Sequence, residues 1–259
     1  MVNKGPLICL FFCAWVCALP GCSSKQSSFN EIDSGKVESL IKIQKINNRT
    51  ILVNFGYDAV TAVETDEGIV IVDAGISAEL TARYRKLIGK MFHSDDFIYV
   101  INTHGHPDHI GGNSVFPQAK VVGHENCPMD ISERWTNPSK SMISLSNIIE
   151  DYGKQLLQSP PNTSEWNGIY TQKIRYMCAY SDVKNGVPAR LPDIAFSDSM
   201  TLDTGDTVFE MISFGKSHSN SDIVIYIPEL KLLFTGDLFS KYGRPGFDFS
   251  AMDEKEGGR

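Results

Sequence analysis

The sequence has no run of lysine and arginine, and its acidic residues outnumber the basic ones, which gives a formal net charge of −7. Nucleic-acid binding needs a basic face that neutralises phosphates, so nucleic acid is not expected as a partner. Cysteine is also sparse: six occur in 259 residues, and none forms a Cys-x-x-Cys pair that would indicate a cysteine-based zinc site. With 42% hydrophobic residues, the chain has enough apolar side chains for the core of one α/β domain.

The N-terminus reads MVNKGPLICLFFCAWVCALPGC, in which Lys4 precedes an apolar stretch and small residues follow. The stretch is too short to cross a membrane and has the organisation of an export signal. Its end, Leu19-Pro20-Gly21-Cys22, resembles the lipobox of bacterial lipoproteins, although proline is unusual there. That resemblance implies a signal peptide over 1–21, lipidation of Cys22 and a location in the bacterial cell envelope, anchored to the membrane and facing the periplasm or the extracellular side. A plain secretory signal is the alternative, and 22–36 is predicted as a polar tether.

After cleavage the protein would keep Cys22, Cys127 and Cys178. An oxidising periplasm permits a disulfide between Cys127 and Cys178. Two buried free thiols are the alternative, and the spacing does not decide between them.

Apolar periodicity predicts alternating strands and helices. Val37–Ile46 and Ile51–Gly56 flank a turn and predict a hairpin, and Gly68–Gly75 is the apolar run of a central buried strand. Ser77 is placed to cap a helix, and Phe97–Thr103 forms a further buried strand. Strands, helix and strands again, twice over, predict two mixed sheets packed face to face with helices outside, an αββα sandwich.

The segment from about 126 to 193 has a different character, with a helical spacing of apolar residues and many aromatic ones. Trp135 and Trp166 both lie in it. Either these aromatic residues shape an apolar pocket over a site, or they pack the small core of the segment itself.

A dense group of metal-binding residue types follows the strand that ends at Thr103, in the sequence INTHGHPDHIGGN. His104 and His106, two residues apart on a loop, can direct both rings into one volume, where zinc takes nitrogen and oxygen ligands. Asp108 and His109 are adjacent, so their side chains diverge and suit a second metal beside the first. A single surface histidine can occur by chance, but chance is a poor explanation for the pattern His-x-His-x-Asp-His at the end of a buried strand.

The motif His-x-His-x-Asp-His resembles the signature of the metallo-β-lactamase superfamily. The resemblance continues in order through the strand end IVIVDAG, through HSNSD at 218–222 and through LLFTGDLF, and it covers roughly Val37 to Phe239. It implies the αββα metallo-β-lactamase fold over 37–259, with the helical segment as an insert.

The resemblance also implies a set of ligands. It assigns a first zinc to His104, His106 and His218, and a second zinc to Asp108 and His109, with Asp237 bridging the two ions. Asp73 would hold the ligand loop in place. Ser219 stands where the family usually has threonine; it keeps the hydroxyl, but the glycine that normally follows in this motif is absent, which puts the geometry of the turn in doubt.

A second departure concerns the end of the domain. Dinuclear members of the family close the second site with a further histidine, yet none of the six histidines of this chain follows Asp237. Either the domain is truncated at its C-terminus, or the second site has only Asp108, His109, Asp237 and water. Asp248 and Asp253 are possible substitutes without a positional argument for either.

The implied function is a zinc-dependent hydrolase that attacks a small ester, thioester or similar substrate with a metal-bound hydroxide, using Asp108 to orient the nucleophile and shuttle its proton. A β-lactamase is one alternative, but Asp237 stands where many such enzymes have cysteine or serine. A non-catalytic, metal-binding lipoprotein or an enzyme fragment is the other. The expected partners are a small-molecule substrate and, through the lipid anchor, a membrane.

Overall fold

The computed structural model describes residues 32–239. The predicted signal peptide, Cys22 and the predicted C-terminal truncation lie outside these residues. None of the helices between residues 32 and 239 combines the length and the apolar character needed to cross a membrane.

A seven-stranded mixed sheet forms the larger layer, in the spatial order β1 to β7. The first four strands pair antiparallel, and β4 to β7 run parallel to one another. These strands are β1 (Lys42–Lys45), β2 (Thr50–Phe55), β3 (Asp58–Thr65), β4 (Gly68–Val72), β5 (Phe97–Ile101), β6 (Lys120–His124) and β7 (Ile194–Phe196).

A four-stranded sheet packs against it and consists, in spatial order, of β11, β10, β9 and β8. Its strands are β8 (Ser199–Asp203), β9 (Val208–Ile212), β10 (Val224–Ile227) and β11 (Leu232–Phe234). All three strand pairs of this sheet are antiparallel in the part of the chain that the structure describes. The prediction of a mixed sheet is therefore confirmed for the larger layer and wrong for the smaller one, whose described strands form an antiparallel meander because each pairs with its neighbour in the chain.

Helices cover the other face of the larger sheet. They are α1 (Ser34–Leu40), α2 (Ala78–Phe92), α3 (Pro107–Ile110), α4 (Glu133–Thr136), α5 (Pro138–Gln158) and α6 (Ser164–Lys184). Ser77 caps α2 as predicted, because its side chain accepts a hydrogen bond from the backbone N–H of Leu80. The segment between Asn126 and Asp193 forms α4, α5 and α6, as its apolar spacing predicts.

Two apolar clusters hold the layers together. One lies between the larger sheet and the helices and includes Val53, Leu80 and Tyr84. The other lies between the two sheets and includes Val70, Phe209 and Ile225. Strand β4 supplies both clusters, since Ile71 faces the helices and Val70 faces the smaller sheet. A strand buried on both faces needs the continuous apolar sequence seen at Gly68–Val72.

The first predicted strand was wrong over its first half. Val37–Leu40 belongs to α1 and only Lys42–Lys45 forms the hairpin with β2. The side chain of Asp33 caps this helix by accepting from the backbone N–H of Lys36 at 3.0 Å, and Val37 is fully buried on the helix face. The helix begins at Ser34, inside the segment predicted as a tether.

The two described cysteines are unpaired. Cys127 and Cys178 are both free and buried, which confirms the alternative of two buried free thiols. Burial raises the pKa of the Cys127 thiol to about 11, which keeps it protonated and unreactive at neutral pH.

Candidate metal centre

Strands β4 and β5 run parallel, so their C-terminal ends lie side by side and bring Asp73 next to Thr103. The backbone N–H of Asp73 donates to the carbonyl of Ile101 at 2.9 Å. In return, the carboxylate of Asp73 accepts the N–H of Thr103 at 2.8 Å and its hydroxyl at 2.8 Å. These bonds fix the start of the histidine loop on the edge of the sheet.

The histidine motif continues into α3, with Pro107 at its first turn. The short helix packs closely on the loop after β4, where the backbone N–H of Ala74 donates to the carbonyl of His109 at 2.7 Å. Gly112, the last glycine of the motif, permits this approach, since a Cβ on it would lie 2.1 Å from the carbonyl oxygen of Ala74.

The smaller sheet brings two further residues to the same place. The loop from β9 to β10 carries His218, and Asp237 follows the C-terminal end of β11. Because β10 is antiparallel to both neighbours, that loop and that strand end occupy one end of the sheet. The backbone N–H of Ile223 donates to the carbonyl of Thr103 at 2.9 Å, which joins this end to the larger sheet.

Three histidine rings converge at this junction. Nδ1 of His106 lies 3.0 Å from Nε2 of His104 and 3.0 Å from Nε2 of His218. The ring of His104 meets each of the other two nearly edge-on, at interplanar angles of 77° and 89°. The structure thus brings together the three residues predicted as ligands of the first metal.

Burial and charge favour the neutral form of His104 and His106 in this group. Burial, with added repulsion from His109 and His106, lowers the pKa of His104 to about 2. Burial and the neighbouring His218 also lower the pKa of His106. The hydroxyl of Thr103 donates to Asp73, so its oxygen is free to accept from Nδ1–H of His104 at 3.2 Å. That assignment leaves the Nε2 lone pair of His104 directed at the other two rings.

A second group contains His104, His109 and Asp237, whose ligand atoms also lie within 4.8 Å of one another. The two oxygens of Asp237 lie 3.5 Å from Nε2 of His109 and 3.5 Å from Nε2 of His218. Asp237 therefore belongs to the second group and lies beside His218 of the first, and its role as a bridging ligand stays a prediction. Gly236 has a φ of +52° and sits so close to Thr103 that a Cβ would meet its hydroxyl oxygen at 2.7 Å.

The opposite ring nitrogen of His109 is fixed by Asp73, at 2.9 Å from Nδ1 to the carboxylate. Burial alone would lower the pKa of His109, but the charges of Asp73 and Asp237 outweigh it and raise that pKa well above its usual value. The contact with His109 in turn lowers the pKa of Asp237. Asp73 thus contacts both Thr103, at the start of the histidine loop, and His109, whose Nε2 is directed towards Asp237. Its role as a support of the metal ligands stays a prediction.

Asp108 is the one predicted ligand that belongs to neither group among the described residues. Its side chain is exposed and lines the cavity beside His109 and Asp237. Its role as a ligand stays a prediction. His124 belongs to neither group among the described residues; it is buried and accepts from the backbone N–H of Asn126 at 3.0 Å.

The loop that carries His218 is held by Ser219 and by two residues that the sequence did not single out, Ser221 and Asp130. Ser219, predicted to support the site, donates its hydroxyl to Asp222 at 2.8 Å, and Ser221 accepts the backbone N–H of Gly105 at 2.9 Å. Asp130 accepts from Ser221 and from the backbone N–H of Asn220, the latter at 3.1 Å. Asp130 is 90 positions from Asn220 in the chain, so no local pattern could have revealed it.

The donor set suits zinc. Neutral imidazoles and a carboxylate are typical zinc ligands, and no cysteine is needed. Tetrahedral ligands at about 2.0–2.1 Å from zinc would be separated by about 3.3 Å, close to the spacing of these nitrogens.

A model of the Metallo-beta-lactamase superfamily matches residues 53–256. The chain belongs to this superfamily. The match contains every predicted ligand of the metal centre, from His104 to Asp237. No curated protein matches the sequence.

Solved structures of the superfamily resemble this one. A metallo-beta-lactamase from Pontibacter korlensis has a TM-score of 0.50 at 18% identity, over 82% of this chain and 81% of that one. The stereoselective inverting sec-alkylsulfatase Pisa1 from Pseudomonas sp. has a TM-score of 0.52 at 17% identity, over 74% of this chain and 30% of the enzyme. The chain thus spans about a third of the alkylsulfatase. These likenesses confirm the predicted fold class of two sheets with helices.

Proposed function

We propose that this protein is a zinc-dependent hydrolase that acts on a small ester, thioester or similar substrate. The proposal is carried by one observation, the convergence of His104, His106 and His218 on a common point with Asp237 beside them. Surface histidines have no reason to meet in this way, and the superfamily to which the chain belongs consists mostly of metal-dependent hydrolases.

The residues present fit one complete zinc site and part of a second. His104, His106 and His218 would hold the first ion, and His109 with Asp237 would hold the second, with Asp237 shared. When bound, zinc lowers the pKa of water from 15.7 to about 7 and polarises a substrate carbonyl oxygen. The exposed carboxylate of Asp108 is placed in the cavity to accept a proton and return it to a leaving group.

A metal-binding protein without catalysis is the second candidate. It is favoured by the composition of the second group among residues 32–239, which shares His104 with the first group and adds only His109 and a half-exposed Asp237. A β-lactamase is a narrower form of the hydrolase proposal, and a β-lactam substrate tests it directly.

We also propose where the protein acts: anchored by a lipid on Cys22 to a membrane of the bacterial cell envelope. The lipobox-like sequence at 19–22 supports it, and an exported enzyme would meet its substrate on the outer side of the membrane that anchors it.

The first experiment is an elemental analysis of zinc per chain, made on the protein from Ser23 onward after loosely held metal is removed. The same preparation is then assayed with esters, thioesters and β-lactams, before and after chelation and zinc restoration. His218→Ala should lose zinc and turnover. His93→Asn is the matched control, because His93 lies at the end of α2 in a left-handed conformation that asparagine tolerates.

Zinc together with a turnover that chelation abolishes would support the hydrolase. Folded protein without zinc would overturn both candidates. Bound zinc without turnover of any of the three substrate classes would favour the metal-binding candidate, and turnover of β-lactams alone would narrow the hydrolase to a β-lactamase.

A further inference from the structure

The candidate metal centre opens into a cavity of about 880 Å³ that also reaches residues of the helical segment. Asp108, His109 and Asp237 line the part of the cavity at the metal centre. Gln172 and Arg175 of α6 line it as well, next to Tyr176 and to Tyr152 of α5. The cavity therefore combines an acidic region with a cationic side chain from a separate element.

Arg175 is deeply buried but poorly satisfied. It is 6% exposed and makes one hydrogen bond among the described residues, from Nη1 to Oε1 of Gln172 at 2.8 Å. Within residues 32–239 its Nε has no hydrogen-bond partner, and neither has Nε2 of Gln172, a residue that is 8% exposed. A buried donor without an acceptor costs about 1–3 kcal/mol, so two of them side by side in a cavity wall require an explanation.

The nearest carboxylate, that of Asp58, does not provide the missing hydrogen-bond acceptor. Oδ1 of Asp58 lies 3.9 Å from Nε of Arg175, which balances charge but is beyond hydrogen-bond distance. Both oxygens of Asp58 already have partners, since Oδ1 accepts the backbone N–H of Ile76 at 2.8 Å and Oδ2 accepts the hydroxyl of Tyr84 at 2.8 Å. Asp58 is thus committed to the loop after β4, and the donors of Arg175 and Gln172 are left for another acceptor.

We propose that Arg175 and Gln172 bind an oxyanion group of the substrate. The inference rests on the proposed function and adds the class of substrate: a molecule with a neutral scissile bond and a separate carboxylate, sulfate or phosphate. A guanidinium beside an amide N–H presents several donors in a plane, which is the geometry that recognises oxyanions.

The charges in the cavity would also orient such a substrate. The guanidinium of Arg175 attracts an anion to its own part of the cavity wall. The rings of Tyr152 and Tyr176, stacked with centroids 5.9 Å apart at 18°, supply an aromatic part of the same cavity wall for the apolar part of the molecule. The scissile bond is then left at the metal centre.

A matched pair of nitrophenyl esters tests the idea on the metal-loaded protein. One is the monoester of glutaric acid, with a free carboxylate, and the other is the ester of glutaramic acid, which is nearly the same shape but neutral. The ratio of their kcat/KM values should favour the acid, and Arg175→Gln should reduce that ratio about 10–100-fold. Lys184→Gln, which removes a charge from an exposed position on the same helix, is the control and should leave the ratio as it is.

Equilibrium binding gives a readout that needs no turnover. Butyrate, sulfate and phosphate are titrated calorimetrically into the protein as isolated, and at least one should bind about tenfold more weakly to Arg175→Gln and to Gln172→Leu. The second variant keeps the pair of Arg175 with Asp58 if the first does not fold. Equal anion binding by the wild type and a folded variant would refute the oxyanion site, even if the protein is a hydrolase. Weakened binding in a protein that hydrolyses nothing would support the site and refute the proposed reaction.

Discussion

Replacement of Asp130 by alanine should weaken the first zinc site although Asp130 binds no metal. Its carboxylate accepts the backbone N–H of Asn220 at 3.1 Å, the side-chain amide of Asn220 at 2.6 Å and the hydroxyl of Ser221. Asn220 lies two residues after His218, so these bonds hold the loop that places a candidate ligand. Without them, the ring of His218 must be ordered by the metal itself.

The size of the effect follows from the number and kind of these bonds. A hydrogen bond to a charged acceptor contributes about 1.5–3 kcal/mol, but Asp130 is only half-buried and neighbouring bonds do not add. Loss of an outer support for a metal ligand typically lowers affinity about 10–100-fold, or about 1.4–2.7 kcal/mol. We therefore expect the dissociation constant of the first zinc to rise by that factor.

Competition with a chromophoric zinc chelator measures this constant directly. Glu125→Ala is the matched control, since Glu125 is exposed and its removal changes the net charge by the same amount. Zinc affinity should be unchanged in the control, and both variants should keep the melting temperature of the wild-type apoprotein within a few degrees. A folded Asp130→Ala protein with wild-type zinc affinity would refute the reasoning, because the loop would then be held without Asp130.

Three further predictions follow. Asp73→Asn removes the charge that fixes His109, so elemental analysis should find the second zinc lost before the first; retention of both would contradict this. The raised pKa of His109 stabilises the metal-free protein fully below its unfolded pKa of about 6.5 and progressively less as pH rises through the folded pKa. Urea unfolding should therefore show a smaller free energy at about pH 9 than at about pH 6, and His109→Gln should diminish that difference; an unchanged difference would count against it. Labelled palmitate should enter the full chain expressed in bacteria but not Cys22→Ser, and labelling of both would exclude Cys22 as the lipidated residue.

Two members of the first candidate metal site, His104 and His106, were predictable because their signal is local. His104 and His106 lie on one loop, at the end of a strand whose apolar run identifies it as central, and geometry gives two such rings one shared volume. His218 and Asp237 were recognisable only through the family resemblance, since nothing in their own neighbourhoods predicts a meeting with residues more than a hundred positions away. The strand order of the smaller sheet explains this meeting, because its two antiparallel pairs bring His218 and Asp237 to the same end of the sheet.

The aromatic residues of the helical segment show what periodicity leaves open. The tryptophans pack elsewhere: Trp166 stacks on Tyr170 at 5.0 Å, and Arg134 lies over Trp135 at 5.1 Å. The tyrosines at 152 and 176 line the cavity instead. The pocket alternative therefore holds for these two tyrosines, whereas neither tryptophan belongs to an apolar cluster or to the cavity lining among the described residues. Helical spacing cannot separate the two roles, because either one requires an inward-facing ring.

The amino-acid sequence by itself determined the class of fold, the strand that carries the histidine motif and the residue types able to hold zinc, since each depends on short-range periodicity or on donor chemistry. Only the tertiary structure decided that Asp130 supports the loop of His218, that Cys127 and Cys178 stay apart, and that Arg175 faces the cavity of the metal centre. Those facts depend on how segments distant in the chain pack together, and the free energy of such contacts is set by distance and burial rather than by neighbours in sequence.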